Sequence, residues 1–320
     1  MSTKRPSVPG GTIYVQARDQ AATLVDHYQT FLFDCDGVIW TGPAGDTLTP
    51  NIAETLAYLR SRSKQIAFIT NNATLSRQDY HQKFAHFGIQ VELDEIFTCG
   101  SATALYLKHE LVPKRKEAGK PTGVYLIGQR AMESEFEQVG LPWKGGTDPE
   151  DDVLLAPQDF SSIVPDPEIG IVVYAFQMRI NYKQLAKAYN YLASNPDCQL
   201  VLTNDDQNFL LPSGGYAPGE GAIASVLFGA LKPPYAQPLI VGKPHQVLLD
   251  IVHSALKFNP HDTLFVGDRL ATDILFAKRG QIDSLLVLTG IQKLQDLEPL
   301  DRDKRPEWVA DCVGTLLDQP

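Results

Sequence analysis

Residues 30–40 read TFLFDCDGVIW, and this stretch decides the fold. The apolar run 30–33 has the length and aromatic content of a buried strand, and polar residues follow it at once. Four further runs share these properties, so that the strand-like segments are residues 30–33, 65–69, 238–241, 263–266 and 284–288. Helix-period stretches lie between them, at residues 51–60, 76–87, 246–257 and 271–279. This alternation predicts an α/β fold with a Rossmann-like parallel sheet that is covered on both faces.

The middle of the chain carries a second series of strand-like runs, at residues 123–127, 169–174 and 199–202. It opens with a Lys/Pro/Gly-rich connection, residues 113–122, and closes near the helix breaker Lys232-Pro233-Pro234. We interpret this middle part as a second α/β domain that is inserted into the first. The predicted domains are a discontinuous core of residues 20–105 and 238–320, an insertion of residues 106–237, and a partly flexible N-terminal extension of residues 1–19.

Composition excludes several classes of protein. The 320 residues include 28 Lys and Arg against 38 Asp and Glu, a net charge of −10, so a nucleic-acid partner is not expected. No apolar run approaches the ~20 residues that span a bilayer, and the N-terminus lacks the apolar core of a signal peptide. We therefore predict a cytoplasmic protein with no membrane partner. The four cysteines are widely spaced, which favours reduced thiols over disulfides or a zinc site.

Polar residues follow each strand of the predicted core. They are Asp34-Cys35-Asp36-Gly37, Thr70-Asn71-Asn72, Gly242-Lys243-Pro244, and Gly267-Asp268 with Thr272-Asp273 just beyond. Because ligands bind beyond the carboxyl ends of strands in an open parallel sheet, these segments are expected to converge at one crevice. Carboxylates with a single ammonium group suit a phosphate ester held by Mg²⁺, with Asp34 and Asp268 as the natural ligand pair. Lys243 and a helix starting at Pro244 would bring positive charge to the phosphoryl oxygens.

The spacing of Asp34 and Asp36 has a chemical meaning of its own. Residues two apart in an extended chain point the same way, so both carboxyl groups can reach opposite ends of one P–O bond. Asp34 would attack phosphorus and form an aspartyl phosphate. Asp36 would protonate the leaving alkoxide and then activate water, help that is worth roughly 10²–10⁴-fold in rate.

These motifs, in this order, resemble those of the haloacid dehalogenase (HAD)-like hydrolases. The stretches around Asp34, Thr70, Lys243 and Asp268 are similar to the branch that contains 4-nitrophenylphosphatases and phosphoglycolate phosphatases. That branch carries a large C2-type cap between the second and third motifs, which is where the predicted insertion lies. The resemblance covers the chain from about residue 30 to residue 291.

The resemblance implies a role for each matching residue. Asp34 is the expected nucleophile and Mg²⁺ ligand, Asp36 the acid/base and a ligand through its main-chain carbonyl, and Asp268 the third ligand. The phosphoryl-binding residues are expected to be Thr70, Lys243, Asn71 and Asn72. Gly37 and Asp273 are supporting residues, and Asp273 is expected to orient Lys243 or a metal-bound water. Members that dehalogenate or form long-lived phosphoenzymes lack the second Asp, so Asp36 favours hydrolysis. The resemblance also implies a homodimer formed through the cap.

The substrate is expected to be a small phosphorylated metabolite. The leading candidate is 2-phosphoglycolate, and 4-nitrophenyl phosphate is also expected to be hydrolysed. We hypothesise that Arg179 binds the carboxylate of phosphoglycolate, because Arg pairs with carboxylates bidentately; a solvated arginine is the alternative. Glu220 would oppose an anionic substrate if it faced the pocket. A pyridoxal phosphate-type or broad metabolite-repair phosphatase is the second interpretation, and a non-catalytic binding module on the same fold is the third.

Three further patterns have structural interpretations that we prefer to functional ones. The acidic run 148–152 is interpreted as a solvated loop rather than a metal site. Gly219-x-Gly221-x-x-Ala224 follows no apolar strand, so it is expected to start a closely packed helix instead of binding a dinucleotide. Cys35 lies between the two Asp residues, and a packing role is preferred to redox regulation.

Overall fold

The computed structural model describes residues 11–16, 18–42, 45–157, 159–211, 214–231 and 237–317. The described chain forms two compact units. The first unit comprises the described residues within 1–70, 83–97 and 252–320, and the second comprises those within 71–82 and 98–251. The expected end of the insertion at Lys232-Pro233-Pro234 lies outside the described residues, as do residues 1–10 and 17 of the predicted extension. The domain boundaries given above stay a prediction.

The strands of the described residues are short and mostly buried. In chain order they are β1 Ile13–Tyr14, β2 Thr30–Phe33, β3 Trp40–Thr41, β4 Thr47–Leu48, β5 Gln65–Thr70, β6 Ile96–Thr98, β7 Gly123–Ile127, β8 Lys144–Gly145, β9 Ile169–Tyr174, β10 Gln199–Leu202, β11 Asn208–Leu210, β12 Tyr216–Pro218, β13 Leu239–Ile240, β14 Thr263–Gly267, β15 Asp283–Val287 and β16 Trp308–Ala310.

The α-helices alternate with these strands. They are α1 Arg18–His27, α2 Ile52–Ser61, α3 Arg77–His86, α4 Cys99–Tyr106, α5 Val112–Glu117, α6 Arg130–Val139, α7 Tyr182–Ser194, α8 Glu220–Ala230, α9 Gln246–Leu256 and α10 Leu275–Arg279. A π-helical turn, Leu270–Ile274, leads into α10. Among the described helices, none has both the length and the apolar character needed to cross a membrane.

The first unit is built on a seven-stranded sheet in the order β1-β16-β15-β14-β2-β5-β6. The pairs from β1 through to β5 are parallel. Every residue of β2 and β14 is buried, as expected for central strands with both faces covered. Phe33 pairs with Val266 on one side and with Phe68 on the other, so β2, β14 and β5 reach the same edge of the sheet together. The predicted parallel α/β core is confirmed.

The second unit has its own five-stranded parallel sheet in the order β13-β10-β9-β7-β8. An apolar cluster packs α7 and α8 against it, including Tyr125, Val172, Tyr191, Leu200 and Leu227. A separate antiparallel hairpin joins β11 to β12 just before α8. The second series of strand-like runs therefore forms a sheet, as the sequence predicts.

The structure corrects three details of the sequence interpretation. Residues 238–241 were expected in the core sheet, but β13 pairs with β10 in the second sheet, where Ile240 packs on the apolar cluster. The expected connection 113–122 begins as helix α5, because Pro at the first helical positions is tolerated and the buried Arg115 bonds the carbonyls of Pro121 and Asp197.

The acidic run is the third correction, since one of its members is buried. Asp151 is 2% exposed and accepts hydrogen bonds from Lys187 at 2.7 Å and from the Tyr125 hydroxyl at 2.9 Å. The Asn181 side-chain amide donates to the Asp151 carbonyl at 2.9 Å. Pairing with a lysine lets this carboxylate leave water, and the pair anchors the loop to α7.

Candidate active site

Three buried carboxylates meet at the carboxyl edge of the first unit's sheet. Asp34 directly follows β2, Asp268 directly follows β14, and Asp273 lies in the π-helical turn before α10. One oxygen from each of the three lies within 4.8 Å of the other two. Their exposed fractions are 7%, 2% and 0%, respectively. Buried carboxylates this close repel one another when they are ionised, so the arrangement favours a compensating positive charge.

Two glycines allow the chain to pass close to Asp268. Gly37 has a φ of +88°, and an added Cβ there would lie 2.7 Å from Asp268 Oδ2. At Gly290 an added Cβ would lie 1.9 Å from the same oxygen and 2.6 Å from Asp268 Cβ. The backbone N–H of Ile291 then donates to Asp268 Oδ2 over 2.8 Å. Gly37 belongs to a sequence motif, whereas Gly290 lies beyond the four motifs and was not predicted.

Asp273 holds the backbone of its own motif. Its Oδ2 accepts hydrogen bonds from the N–H groups of Asp268 at 3.1 Å and of Arg269 at 3.0 Å. A Cβ on Gly267 would lie 2.2 Å from Asp273 Cβ, so that glycine permits the close approach. The predicted action of Asp273 on Lys243 or on a metal-bound water stays a prediction.

The donor set of this cluster fits a small divalent cation. Carboxylate oxygens are the hard ligands that Mg²⁺ prefers, and among the described residues no histidine or cysteine belongs to the cluster. A dication would also neutralise the mutual repulsion of the three buried carboxylates. The residues present therefore fit the Mg²⁺ that the sequence predicts.

Asp36 is exposed, and its carboxylate is fixed by an aromatic residue four positions along the chain. The Trp40 Nε1–H donates to Asp36 Oδ1 over 2.8 Å, while the Trp40 ring itself is fully buried. The Lys83 ammonium lies 3.9 Å from the centroid of the Trp40 ring. Burial lowers the pKa of Lys83, and the nearby Asp36 carboxylate opposes that shift. Trp40 belongs to the motif of residues 30–40, but the motif alone indicated no role for its indole, and no sequence pattern pointed to Lys83.

We expect Trp40→Phe to lower kcat about 10-fold, because the indole that orients the Asp36 carboxylate is lost while most of the buried aromatic surface remains. The measurement is kcat and KM for 4-nitrophenyl phosphate with the melting temperature alongside. Trp308→Phe is the matched control, since the Trp308 Nε1–H donates to the Tyr28 hydroxyl in the same unit. Equal activity of Trp40→Phe and wild type would contradict the orienting role.

The second unit contains Asn71 and Lys243, and the side chain of Asn71 binds the backbone of Lys243 at two points. Asn71 Oδ1 accepts from the Lys243 N–H at 2.7 Å, and Asn71 Nδ2 donates to the Lys243 carbonyl at 2.9 Å. Lys243 is 1% exposed. The helix expected to begin at Pro244 begins at Gln246 instead, because the His245 N–H bonds the Gly242 carbonyl in a turn.

The remaining predicted residues are distributed over both units. Thr70 ends β5 in the first unit and is 1% exposed. Asn72, in the second unit, accepts from the Thr74 N–H and hydroxyl at 2.9 and 2.6 Å, which closes a local turn. Asp34, Asp36, Asp268 and Asp273 belong to the first unit. The expected convergence of all these residues at one crevice stays a prediction.

Arg179 lies on the rim of a cleft of about 310 Å³ in the second unit, where Gln177, Met178 and Asp152 also line the wall. Its side chain is 75% exposed and forms an ion pair with Asp152 at 2.8 Å. The buried Gln177 fixes the loop by donating to the Gly128 carbonyl and accepting from the Arg179 N–H. The arginine is therefore exposed but already paired.

Two other patterns singled out in the sequence have structural roles. Glu220 is buried at the start of α8, with 2% of its surface exposed, and bonds Thr203 and Asn204. Gly219 precedes α8 directly, as the expected close-packed helix start requires. Cys35 is fully buried, in agreement with a packing role.

Comparison with known families matches both ends of the chain. Residues 31–142 match the family described as haloacid dehalogenase-like hydrolase, and residues 240–316 match the one described as HAD-hydrolase-like.

Several curated relatives are similar over almost the whole chain. The 4-nitrophenylphosphatase of Schizosaccharomyces pombe is 36% identical over 298 residues, 92% of this chain and 95% of the relative. The chloroplastic phosphoglycolate phosphatase 1A of Arabidopsis thaliana is 33% identical, over 94% and 80% of the two chains. The glycerol-3-phosphate phosphatase of Rattus norvegicus is 34% identical, over 93% of each.

Solved structures show the same fold. A 4-nitrophenylphosphatase from Thermotoga maritima superposes with a TM-score of 0.73 at 27% identity, and the match covers 92% of this chain and 97% of that one. A glycerol phosphate phosphatase from Mycobacterium tuberculosis gives a TM-score of 0.72 at 24% identity, over 92% and 77% of the chains.

Proposed function

Since the chain belongs to the haloacid dehalogenase-like hydrolases, we propose that it is a Mg²⁺-dependent phosphomonoesterase of small metabolite phosphates, with 2-phosphoglycolate as its preferred substrate. One observation carries the proposal: the buried carboxylates of Asp34, Asp268 and Asp273 lie within 4.8 Å of one another beyond the strand ends. The names of the relatives, which include 4-nitrophenyl, phosphoglycolate and glycerol-3-phosphate phosphatases, support a small phosphate ester.

In the proposed reaction the Asp34 carboxylate attacks phosphorus, so that a P–O bond to Asp34 forms while the P–O bond to the leaving group breaks. The Asp36 carboxyl gives its proton to the leaving alkoxide. Asp36 then takes a proton from water, whose oxygen bonds to phosphorus and releases Asp34 and inorganic phosphate. The hydrogen bond from Trp40 supports this role because it fixes the carboxylate that moves the proton.

Positive charge at the phosphoryl group would come from two sources. Asp34 and Asp268, with the main-chain carbonyl of Asp36, would hold Mg²⁺, and the ion would supply positive charge to the phosphoryl oxygens. Lys243, Thr70 and Asn71 would bind the transferring phosphoryl group, with Asn72 beside them. The two hydrogen bonds between the Asn71 side chain and the Lys243 backbone support this assignment, since a fixed backbone limits the positions that the Lys243 ammonium can take.

Two candidate substrate classes differ in whether Arg179 must leave its ion pair with Asp152 to bind them. Phosphoglycolate carries a carboxylate that the exposed guanidinium can bind if it exchanges Asp152 for the substrate. An ester whose alcohol part is uncharged, such as glycerol 3-phosphate, requires no such exchange, and the existing pair with Asp152 favours it as the second candidate. From the family resemblance we also propose a homodimer formed through the predicted insertion of residues 106–237, and we propose the cytoplasm as the location because the sequence carries no apolar run of membrane-spanning length.

We expect Arg179→Ala to lower kcat/KM for 2-phosphoglycolate about 10- to 100-fold, because a bidentate contact to the carboxylate is lost. The same variant should change kcat/KM for 4-nitrophenyl phosphate less than about 3-fold, since that substrate has no carboxylate. The panel also includes glycerol 3-phosphate and pyridoxal phosphate. Lys144→Ala is the matched control, because Lys144 is an exposed cation paired with Asp166 in the same unit.

Equal losses on phosphoglycolate and 4-nitrophenyl phosphate would remove Arg179 from substrate recognition. A preference of the wild type for glycerol 3-phosphate, unchanged in Arg179→Ala, would support the second candidate. Absence of Mg²⁺-dependent turnover on every ester would overturn the proposed function itself.

A further inference from the structure

Glu220 is a buried carboxyl group that the proposed reaction does not use. It is the first residue of α8 and 2% exposed. Its two oxygens accept from the Thr203 hydroxyl at 2.6 and 2.8 Å, from the Asn204 N–H at 2.9 Å and from Asn204 Nδ2 at 2.9 Å. These donors are all neutral, and burial raises the pKa of Glu220 to about 8. Burial of a carboxyl group among neutral donors costs folding free energy, which indicates that Glu220 has a role beyond stability.

The carboxyl group fixes the orientation of Asn204. Asn204 Nδ2 donates to Glu220 Oε2 and, at 3.0 Å, to the Asn71 carbonyl. Asn204 Oδ1 accepts from the Asp206 N–H at 3.0 Å. Both ends of the amide are thus occupied, and a rotated amide would place its oxygen against Glu220 and the Asn71 carbonyl.

Two paths lead from Glu220 to the backbone of Lys243. The first runs through Asn204 to Asn71, whose side chain binds the N–H and the carbonyl of Lys243. The second runs through Thr203, whose hydroxyl bonds Glu220 and whose carbonyl accepts from the Gly242 N–H at 2.8 Å. A Cβ on Gly242 would lie 2.7 Å from both Asn71 Oδ1 and the Thr203 carbonyl, so the segments pack closely.

Glycines on both sides of Glu220 bring it to this position. A Cβ on Gly219 would lie 2.2 Å from the Asp206 carbonyl, and one on Gly221 would lie 2.4 Å from the Asp205 carbonyl. The N–H groups of Gly219 and Gly221 bond the carbonyls of Gln207 and Asp206. The start of α8 is therefore held directly against the loop that carries Asn204.

We propose that Glu220 is a positioning residue that sets the location of the phosphoryl-binding Lys243 through Thr203, Asn204 and Asn71. The inference rests on the proposed function, because it takes Lys243 as the residue that binds the phosphoryl group. Glu220 itself touches no substrate. Its role explains why the Pro218-Gly219-Glu220-Gly221 turn carries an acid that faces protein rather than ligand.

The test is a double-mutant cycle on Glu220 and Lys243. We expect Glu220→Ala to lower kcat/KM for 4-nitrophenyl phosphate about 30-fold, since a small displacement of a phosphoryl-binding group is costly. In a Lys243→Met background the same change should cost less than about 3-fold, because the group that Glu220 positions is already gone. Equal losses in the two backgrounds, or full activity of Glu220→Ala, would overturn the inference.

Glu220→Gln keeps the size of the side chain and replaces one acceptor oxygen with a donor. Glu220→Gln should lower kcat/KM in the wild-type background and have little effect in the Lys243→Met background. It replaces Glu220→Ala in the cycle if that variant fails to fold. Glu135→Gln is the matched control, because Glu135 is a glutamate with 1% exposure in the same unit that bonds Arg77 instead. We expect Glu135→Gln to lower the melting temperature and to leave kcat and KM unchanged.

The affinity for inorganic phosphate, measured by calorimetry on the same variants, separates this inference from the proposed function. If the wild type binds phosphate without hydrolysing any ester, the proposed function fails. The double-mutant cycle on Glu220 and Lys243 then compares the Kd values for phosphate in place of kcat/KM. A phosphate Kd that rises about 10-fold in Glu220→Ala, but not in the Lys243→Met background, supports the positioning role. A wild type that neither hydrolyses an ester nor binds phosphate overturns both.

Discussion

Asp34→Asn is expected to lower kcat about 10⁴-fold or more on every phosphate ester, because an amide cannot form the aspartyl phosphate. The fold should persist. Asp34 is one of three carboxylates within 4.8 Å, so removal of its charge relieves repulsion in a buried site and should raise the melting temperature without metal. For the same reason Mg²⁺ should stabilise Asp34→Asn less than it stabilises the wild type.

The matched control for this variant is Asp283→Asn. Asp283 begins β15, so it lies at the amino ends of the strands in the same parallel sheet, whereas Asp34 follows a carboxyl end. It accepts a hydrogen bond from the Tyr28 hydroxyl at 2.6 Å. We expect Asp283→Asn to lose stability and to keep kcat and its Mg²⁺ dependence. Asp34→Asn turning over at the wild-type rate would exclude a nucleophilic role for Asp34, and an unchanged Mg²⁺ response would exclude it as a ligand.

The sequence predicted the sheet of the first unit well because central parallel strands are apolar on both faces. Residues 30–33 and 263–266 are uninterrupted apolar runs, and both became strands at the expected positions. The carboxylates that follow them were predictable for the same reason, since the end of each run marks the edge of the sheet. Strand-like character alone could not tell which sheet a run joins, which is why residues 238–241 were misplaced.

Contacts between distant loops were the other part that the sequence did not reveal. Gly290 approaches Asp268, and Glu220 bonds Asn204, over separations that no local pattern reports. Glu220 was considered only as a charge that could oppose the substrate, because a glutamate is rarely buried without a charged partner and no local pattern indicated its contacts. The close approach of the flanking glycines to residues 205 and 206 places it in the interior instead.

Gly290→Ala should lower kcat/KM about 100-fold, although residue 290 lies outside the quoted motifs. The new Cβ would lie 1.9 Å from Asp268 Oδ2, 2.4 Å from its Cγ and 2.6 Å from its Cβ. Rotation of the carboxylate alone cannot relieve the contact with Cβ, so the whole Asp268 side chain or the 289–291 loop must move. Movement of the loop would also break the hydrogen bond from the Ile291 N–H to Asp268 Oδ2.

Since Asp268 is a proposed metal ligand, the loss in Gly290→Ala should depend on the metal concentration. The Mg²⁺ concentration for half-maximal activity is expected to rise about 10-fold, and excess Mg²⁺ should restore part of the rate. Gly229→Ala is the matched control, because an added Cβ at this position in α8 meets no atom of the described residues within 4 Å. If Gly290→Ala kept the wild-type Mg²⁺ dependence while losing activity, Asp268 would not be the group through which Gly290 acts. If it kept full activity, close packing against Asp268 would not be required for catalysis.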